Sequence, residues 1–304
     1  MDFEKYDYDN IVVTGFNNFK DFFSRGLNLI AGLHRTSINS IDQIFVFNLG
    51  FDDKLKAFLN SLEKVTVLEF PKYLSEKYYP EFLTPSFFSW KCYVLWIAKD
   101  LGKNILWLDS GIVPLKDIGN EFDIIEREDC FFSTLLEPNY NRRWTTPLAL
   151  QLMNASENEM NDLQVGTNIY GYKANSKYQS MVDTAFEYGQ KKEIMSGDKR
   201  FHRSEQSVYS ILASRYGCKK YPYEIYGDTS ITSNPGQRYY AHRGRVNNIK
   251  GLIYKKNYTL SEEIKKSTLS LYRKLANKRV TRYFLADILR KLGLYSYIYK
   301  KFRE

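Results

Sequence analysis

The run FSWKCYVLWIAKDLGKNILWLDSGIVPL, residues 88–115, decides how the chain is read. From Trp90 to Leu101, Cys92, Leu95, Trp96 and Lys99 fall at helical spacing and predict a helix. Gly102 is a natural helix stop, and Asn104 helps turn the chain. Ile105 to Leu108 is then an apolar run of strand length, suited to a buried strand. It ends on a carboxylate, Asp109, followed by two small residues, Ser110 and Gly111. An acid at the carboxyl end of a buried strand, beside residues that let a ligand come close, sits where open α/β sheets place their sites. The competing reading of the same residues is a polar strand end with a turn.

Working outward, the preceding chain alternates strand and helix. Ile11 to Thr14 is a β-branched run closed by Gly15, with Asn17, Asn18 and Lys20 in the turn behind it. Phe22 to Leu33 has helical apolar spacing, Ile44 to Leu49 is a second buried strand, Lys54 to Leu62 is helical, and Val65 to Phe70 is a third strand stopped by Pro71. This order predicts βαβ units and a mostly parallel sheet flanked by helices. Tyr73 to Phe88 reads as an aromatic loop, and Phe131 to Leu136 as a further strand. Asn139 to Pro147 reads as a polar loop whose Arg142, Arg143 and Trp144 suit a phosphate or a ring, or simply solvent.

In VGTNIYGY, Val165 to Tyr172, two glycines bracket a short strand, and Gln179 to Gly189 is a helix. SEQSVYSILAS opens a helix with Ser204 as its cap; Glu205 in the first turn complements the helix dipole or faces a site. Tyr221 to Tyr226 is predicted as a late strand, and QRYYAHRG carries His242 and Arg243. A lone histidine is more often structural than a ligand.

The chain has 304 residues and a net charge of +9, unevenly spread. Residues 250–304 hold 15 Lys/Arg and 4 Asp/Glu, so the body before them is close to neutral. That balance argues against a nucleic-acid-binding body and divides the chain into residues 1–255 and a basic helical extension, residues 256–304. The extension is amphipathic from Ser267 to Arg303, fit either to pack on the domain or to lie on an anionic membrane surface. The sequence shows no leader and no spanning apolar run, so the expectation is a soluble or peripheral cytoplasmic protein. Cys92, Cys130 and Cys218 lack the paired spacing of a disulfide framework or zinc site.

These residues resemble nucleotide-sugar-dependent glycosyltransferases of the GT-A fold, nearest to the galactosyltransferase-like and glycogenin-like group, over roughly Ile11 to Tyr254. TGFNN, with Thr14 and Asn17, looks like their nucleotide-binding edge. ILWLDSG looks like the strand that ends in their acidic motif, GTNIYGYKAN with Asn168 like their acceptor-side strand, SEQSVYSIL like their acid–Gln helix start, and AHRG like their late metal and diphosphate contact. The resemblance implies Asp109, Glu205 and Gln206 as catalytic residues. It implies Thr14, Asn17, Lys91, Ser110, Gly111, Asn168 and Arg243 as nucleotide-sugar contacts, and Asp109 with His242 as ligands of Mn2+ or Mg2+. The family motif is Asp–x–Asp, and Gly111 stands where the second acid belongs. This leaves open a metal-free enzyme in which Lys91, Arg142, Arg143, Lys173, Arg203, Arg243 or Arg245 neutralises the diphosphate.

Trp90, Trp144 and Tyr172 are candidates for stacking on a base or sugar. Glu205 is either a general base or a sugar-hydroxyl acceptor, and the resemblance implies retention of anomeric configuration. The implied activity is sugar transfer from a nucleotide-diphosphate sugar, a UDP-sugar favoured, to a glycan or glycolipid in surface polysaccharide assembly. The alternatives are a non-catalytic carbohydrate- or partner-binding scaffold, or a sugar nucleotidyltransferase, for which TGFNNFK is poor in glycine and basic residues.

Overall fold

Alternate residues of the first strands feed two different cores, and that alternation builds the molecule. The structure, a computed structural model, describes residues 7–19, 22–71, 73–226, 232–241, 249–256 and 261–273. Its strands are β1 (Tyr8–Phe16), β2 (Gln43–Asn48), β3 (Val65–Glu69), β4 (Gly102–Leu108), β5 (Ile112–Pro114), β6 (Cys130–Thr134), β7 (Val165–Lys173), β8 (Lys220–Tyr221) and β9 (Tyr239–Ala241). The larger helices are α1 (Phe22–Thr36) and α2 (Asp53–Asn60), then, after the single turn α3 (Leu74–Lys77), α4 (Ser89–Ala98) and α5 (Gly119–Glu128). Further along come α6 (Pro147–Leu152), α7 (Glu157–Asn161), α8 (Gln179–Gly189), α9 (Lys192–Met195), α10 (Glu205–Arg215) and α11 (Tyr223–Tyr226).

The main sheet has seven strands in the order β3-β2-β1-β4-β7-β6-β8. The pairs β3–β2, β2–β1, β1–β4 and β6–β8 are parallel, whereas β7 runs antiparallel to both β4 and β6. Ile11, Val13, Phe45, Phe47 and Trp107 join one core, against α4, α8 and α10; Val12, Ile44, Val46, Leu106 and Leu108 join the other, with α1, α2 and α5. A strand buried on both faces needs such a continuous apolar run.

β5 and β9 form a separate ribbon in which Ile112 pairs with Ala241. Tyr272 is buried and donates from its hydroxyl to Asn28 Oδ1 at 3.1 Å, so the described part of the C-terminal segment packs on α1. Among the described residues no helix is long and apolar enough to cross a membrane.

Two local expectations change. Tyr221 to Tyr226 is not a strand: β8 stops at Tyr221, Pro222 cannot donate to continue the ladder, and Tyr223 starts α11. The glycines of VGTNIYGY lie inside β7 rather than around it, because Gly171 packs against the neighbouring backbone, where a Cβ would stand 2.4 Å from the Ile105 carbonyl oxygen. His242, Arg243, Arg245 and the tail beyond residue 273 lie outside the described residues.

Candidate active site

The parallel strands β1 and β4 end at the same edge of the sheet, where antiparallel β7 begins. Here β6 and β7 slip: Phe132 pairs with Tyr170, but Ser133 pairs with Gly166, so Thr167, Asn168 and Ile169 have no partner on β6. Bulges of this kind re-aim side chains at site rims. Two helices also start here, each after a residue with positive φ: Phe88 (φ 65°) before α4 and Ser204 (φ 48°) before α10. Backbone strain at non-glycine residues of this sort costs about 1–3 kcal/mol and clusters at functional sites. Ser204 was expected to cap α10, but its side chain makes no cap bond; its Oγ accepts from Lys199 instead.

These devices converge on one ammonium. Lys91, on the first turn of α4, is 1% exposed. Its Nζ donates to Asp109 Oδ1 at 2.9 Å, to Glu205 Oε1 at 3.3 Å, and to the Thr167 carbonyl oxygen. It also lies over the rings of Trp107 (4.6 Å) and Tyr170 (5.3 Å). Trp107 Nε1 donates to the same Asp109 oxygen at 2.7 Å, and the Thr167 hydroxyl donates to Glu205 Oε1 at 3.1 Å. Asp109 Oδ2 carries no hydrogen bond among the described residues, and the Asp109 side chain is 43% exposed, whereas Glu205 is 8% exposed. Burial raises the proton affinity of Glu205, nearby Asp109 adds to this, and Lys91 opposes it.

Above this cluster opens a cavity of about 1290 Å³. Asn17, Asp109, Ser110, Gly111, Asn168, Glu205 and Gln206 all line it. Thr14 and Lys91 do not: Thr14 is fully buried in β1, and Lys91 lies beneath the acids it holds. Among the stacking candidates, Trp90 lines the cavity but is nearly sealed against Phe70 and Trp107. Tyr172 is a core residue whose hydroxyl donates to the Leu95 carbonyl, and Trp144 stacks under Arg203. The exposed apolar surfaces on the cavity are instead Phe19, Phe22, Phe88 and Leu136. Sequence reasoning missed them because an aromatic residue in a turn looks the same whether it covers core or faces a cleft.

Of the described candidate cations, only Arg203 lines the cavity; Arg142 pairs with Glu157 and Lys173 with Glu126 on the outside. Arg25, Lys199 and His202 line it as well, unforeseen from the sequence. Burial and neighbouring Lys199 hold the His202 imidazole down to about 4, and its Nδ1 accepts from the Thr146 amide at 3.4 Å, which keeps that nitrogen unprotonated.

Of the two ligands that the resemblance implies for a divalent cation, Asp109 is described and His242 is not. One oxygen of Asp109 is already shared by an ammonium and an indole, that ammonium stands 2.9 Å away, and Gly111 supplies no carboxylate. A small hard cation such as Mg2+ is commonly held by one or two carboxylates together with waters and substrate phosphates. No group of three His, Cys, Asp or Glu side chains able to hold a metal exists among the described residues.

The sequence matches no protein-family model, and no curated protein matches it. The fold is nevertheless shared. An active-site mutant of LgtC superposes with a TM-score of 0.50 at 9% identity, over 88% of this chain and 95% of that one. Mouse xyloside xylosyltransferase 1 gives 0.47 at 14% identity, over 84% of this chain and 100% of that one. The bifunctional glycosyltransferase WbbM gives 0.48 at 12% identity over 90% of this chain, which spans only 45% of WbbM. The mixed seven-stranded sheet has the GT-A architecture, the fold it shares with LgtC.

Proposed function

We propose that this chain is a glycosyltransferase that takes its sugar from a nucleotide-diphosphate donor, a UDP-sugar by preference, and transfers it to a glycan or glycolipid. The observation that carries this reading is the Asp109–Lys91–Glu205 cluster on the floor of a cavity of about 1290 Å³ at the carboxyl edge of the sheet. Single-ligand pockets run to about 300–1,000 Å³, so this space suits a donor and an acceptor together.

In this reading the nucleotide lies along Asn17 with its base against Phe19 and Phe22, and Arg25 and Lys199 face the leaving diphosphate. The unshared oxygen of Asp109 accepts from donor-sugar hydroxyls, while Asn168 and Gln206 fix the reacting face. Glu205 is nearly sealed and its Oε1 is already shared by Lys91 and Thr167, a poor position for a base that must meet an acceptor hydroxyl. The reaction is therefore read as retaining. The bond from the anomeric carbon to the phosphate oxygen breaks, the bond to the acceptor oxygen forms on the same face, and the departing phosphate oxygen takes the acceptor proton.

The setting proposed is surface polysaccharide, lipopolysaccharide or glycoprotein glycan assembly by a cytoplasmic protein, with the basic tail on an anionic membrane face. Thermal melting with UDP, GDP and CMP tests donor class, because a ligand of the folded state raises the melting temperature by mass action. Incubation with UDP-sugars then tests turnover, and the anomeric configuration of the product tests retention. Gly111 in place of a second acid favours one other reading, a binding scaffold, which predicts stabilisation by nucleotide without turnover of any donor.

A further inference from the structure

Arg203 is held at the cavity by neutral groups. Its guanidinium lies flat on the Trp144 ring, 3.7 Å from the centroid. Nη1 donates to Gln164 Oε1 at 3.0 Å and Nη2 to Asn139 Oδ1 at 3.1 Å. These partners are themselves fixed. Gln164 is fully buried, its amide donates to the Asn139 carbonyl at 2.8 Å, and its carbonyl accepts from Leu135 at 2.7 Å. Both partners of Arg203 are neutral amides, and among the described residues it makes no ion pair. The nearby charge is of its own sign: Arg143 lies on the same indole at 5.5 Å. Gln164 Oε1 also accepts from Gln206 Nε2 at 3.3 Å, tying the guanidinium to the helix start that carries Glu205.

A half-buried guanidinium without an anion is costly to hold, and burial with Arg143 nearby pulls its proton affinity down. Two of its five N–H groups are engaged; the others remain for a ligand. A rigid planar fork of this kind matches a carboxylate or phosphate two oxygens at a time.

We propose that Arg203, with Trp144, Gln164 and Asn139 as its frame, is an oxyanion subsite that takes a carboxylate or phosphate carried by the acceptor. The acceptor is then an acidic or phosphorylated glycan. The subsite is framed by Asn139 and Gln164 from the chain between β6 and β7, whereas the Asn17 and Phe19 end assigned to the nucleotide follows β1, on the other side of β4 in the sheet. The acceptor assignment rests on the transferase reading above; the oxyanion subsite itself does not.

The test is calorimetric binding of D-glucuronate, its neutral methyl ester, glucose 6-phosphate and glucose to the full chain, with and without saturating UDP. The expected result is at least about tenfold tighter binding of the acids than of their neutral counterparts, undisturbed by UDP. Arg203→Gln removes that preference, and Arg203→Lys keeps part of it. Equal binding of acidic and neutral sugars by the wild-type protein overturns the subsite, as does a preference that survives in a folded Arg203→Gln. Competition between glucuronate and UDP overturns the acceptor assignment and gives the oxyanion site to the donor. An acid preference in a protein that no nucleotide stabilises leaves the subsite standing and removes the transferase reading.

Discussion

Two cationic centres serve the same cavity on opposite principles. Lys91 is sealed and sits between two carboxylates and two aromatic rings. Arg203 is half-open, framed by neutral amides and one indole, and has no carboxylate of its own. A compensated buried charge holds shape: it fixes Asp109, from the end of β4, against Glu205, from the start of α10. An uncompensated one holds affinity, because its counter-ion arrives with the substrate.

The most severe way to break this comparison is Lys91→Met. With the ammonium gone, two carboxylates face each other without compensation, and about 3–5 kcal/mol of stability is lost, read as a lowered denaturation midpoint. A midpoint within error of wild type would show that Lys91 does not hold the floor. Next is Asp109→Asn, expected to fold, to bind nucleotide, and to turn over donor at least about 100-fold more slowly, close to 3 kcal/mol in the barrier. Unchanged turnover in the folded variant removes Asp109 from the chemistry.

A milder effect sharpens the picture of the cavity wall through His202. Its folded pKa of about 4 lies below the ordinary histidine value of 6.5, so its contribution to stability is fully present above 6.5 and falls away as pH drops. Acidification from pH 7.5 to 5 should cost about 2 kcal/mol through this group, and His202→Gln should flatten that part of the stability profile. The smallest effect concerns metal: excess chelator should leave donor turnover unchanged, since one oxygen of Asp109 is already taken by Lys91 and Trp107 and Gly111 supplies no second acid. Loss of turnover on chelation, restored by manganese, would give Asp109 a metal-ligand role.

The parallel half of the site could be read from the chain because its signals are local. Apolar runs at Ile11, Ile44, Val65 and Ile105, punctuated by glycine and proline, fixed the strand sequence, and an acid behind a buried strand marked the cavity edge. The acid–Gln pair at Glu205 and Gln206 was singled out by the resemblance; local pattern alone left Glu205 as a complement to the helix dipole or a residue facing a site. The exact match of the helix from Gln179 to Gly189 shows how far local pattern carries.

What only the tertiary structure decided were relations between distant segments. Nothing in SWKCY tells that Lys91 turns inward to join Asp109 and Glu205, since a lysine early in a helix ordinarily points to water. The slip between Phe132 and Ser133, which frees Thr167 and Asn168 to face the site, is a property of two strands and not of either one. Arg203 became distinct from Arg142 and Lys173 only once packing showed which cations own a carboxylate. Periodicity fixes where a residue sits along its own element. Charge compensation depends on what lies across from it in space, and that is settled when the sheet, its helices and the segment before α10 close around the same cavity.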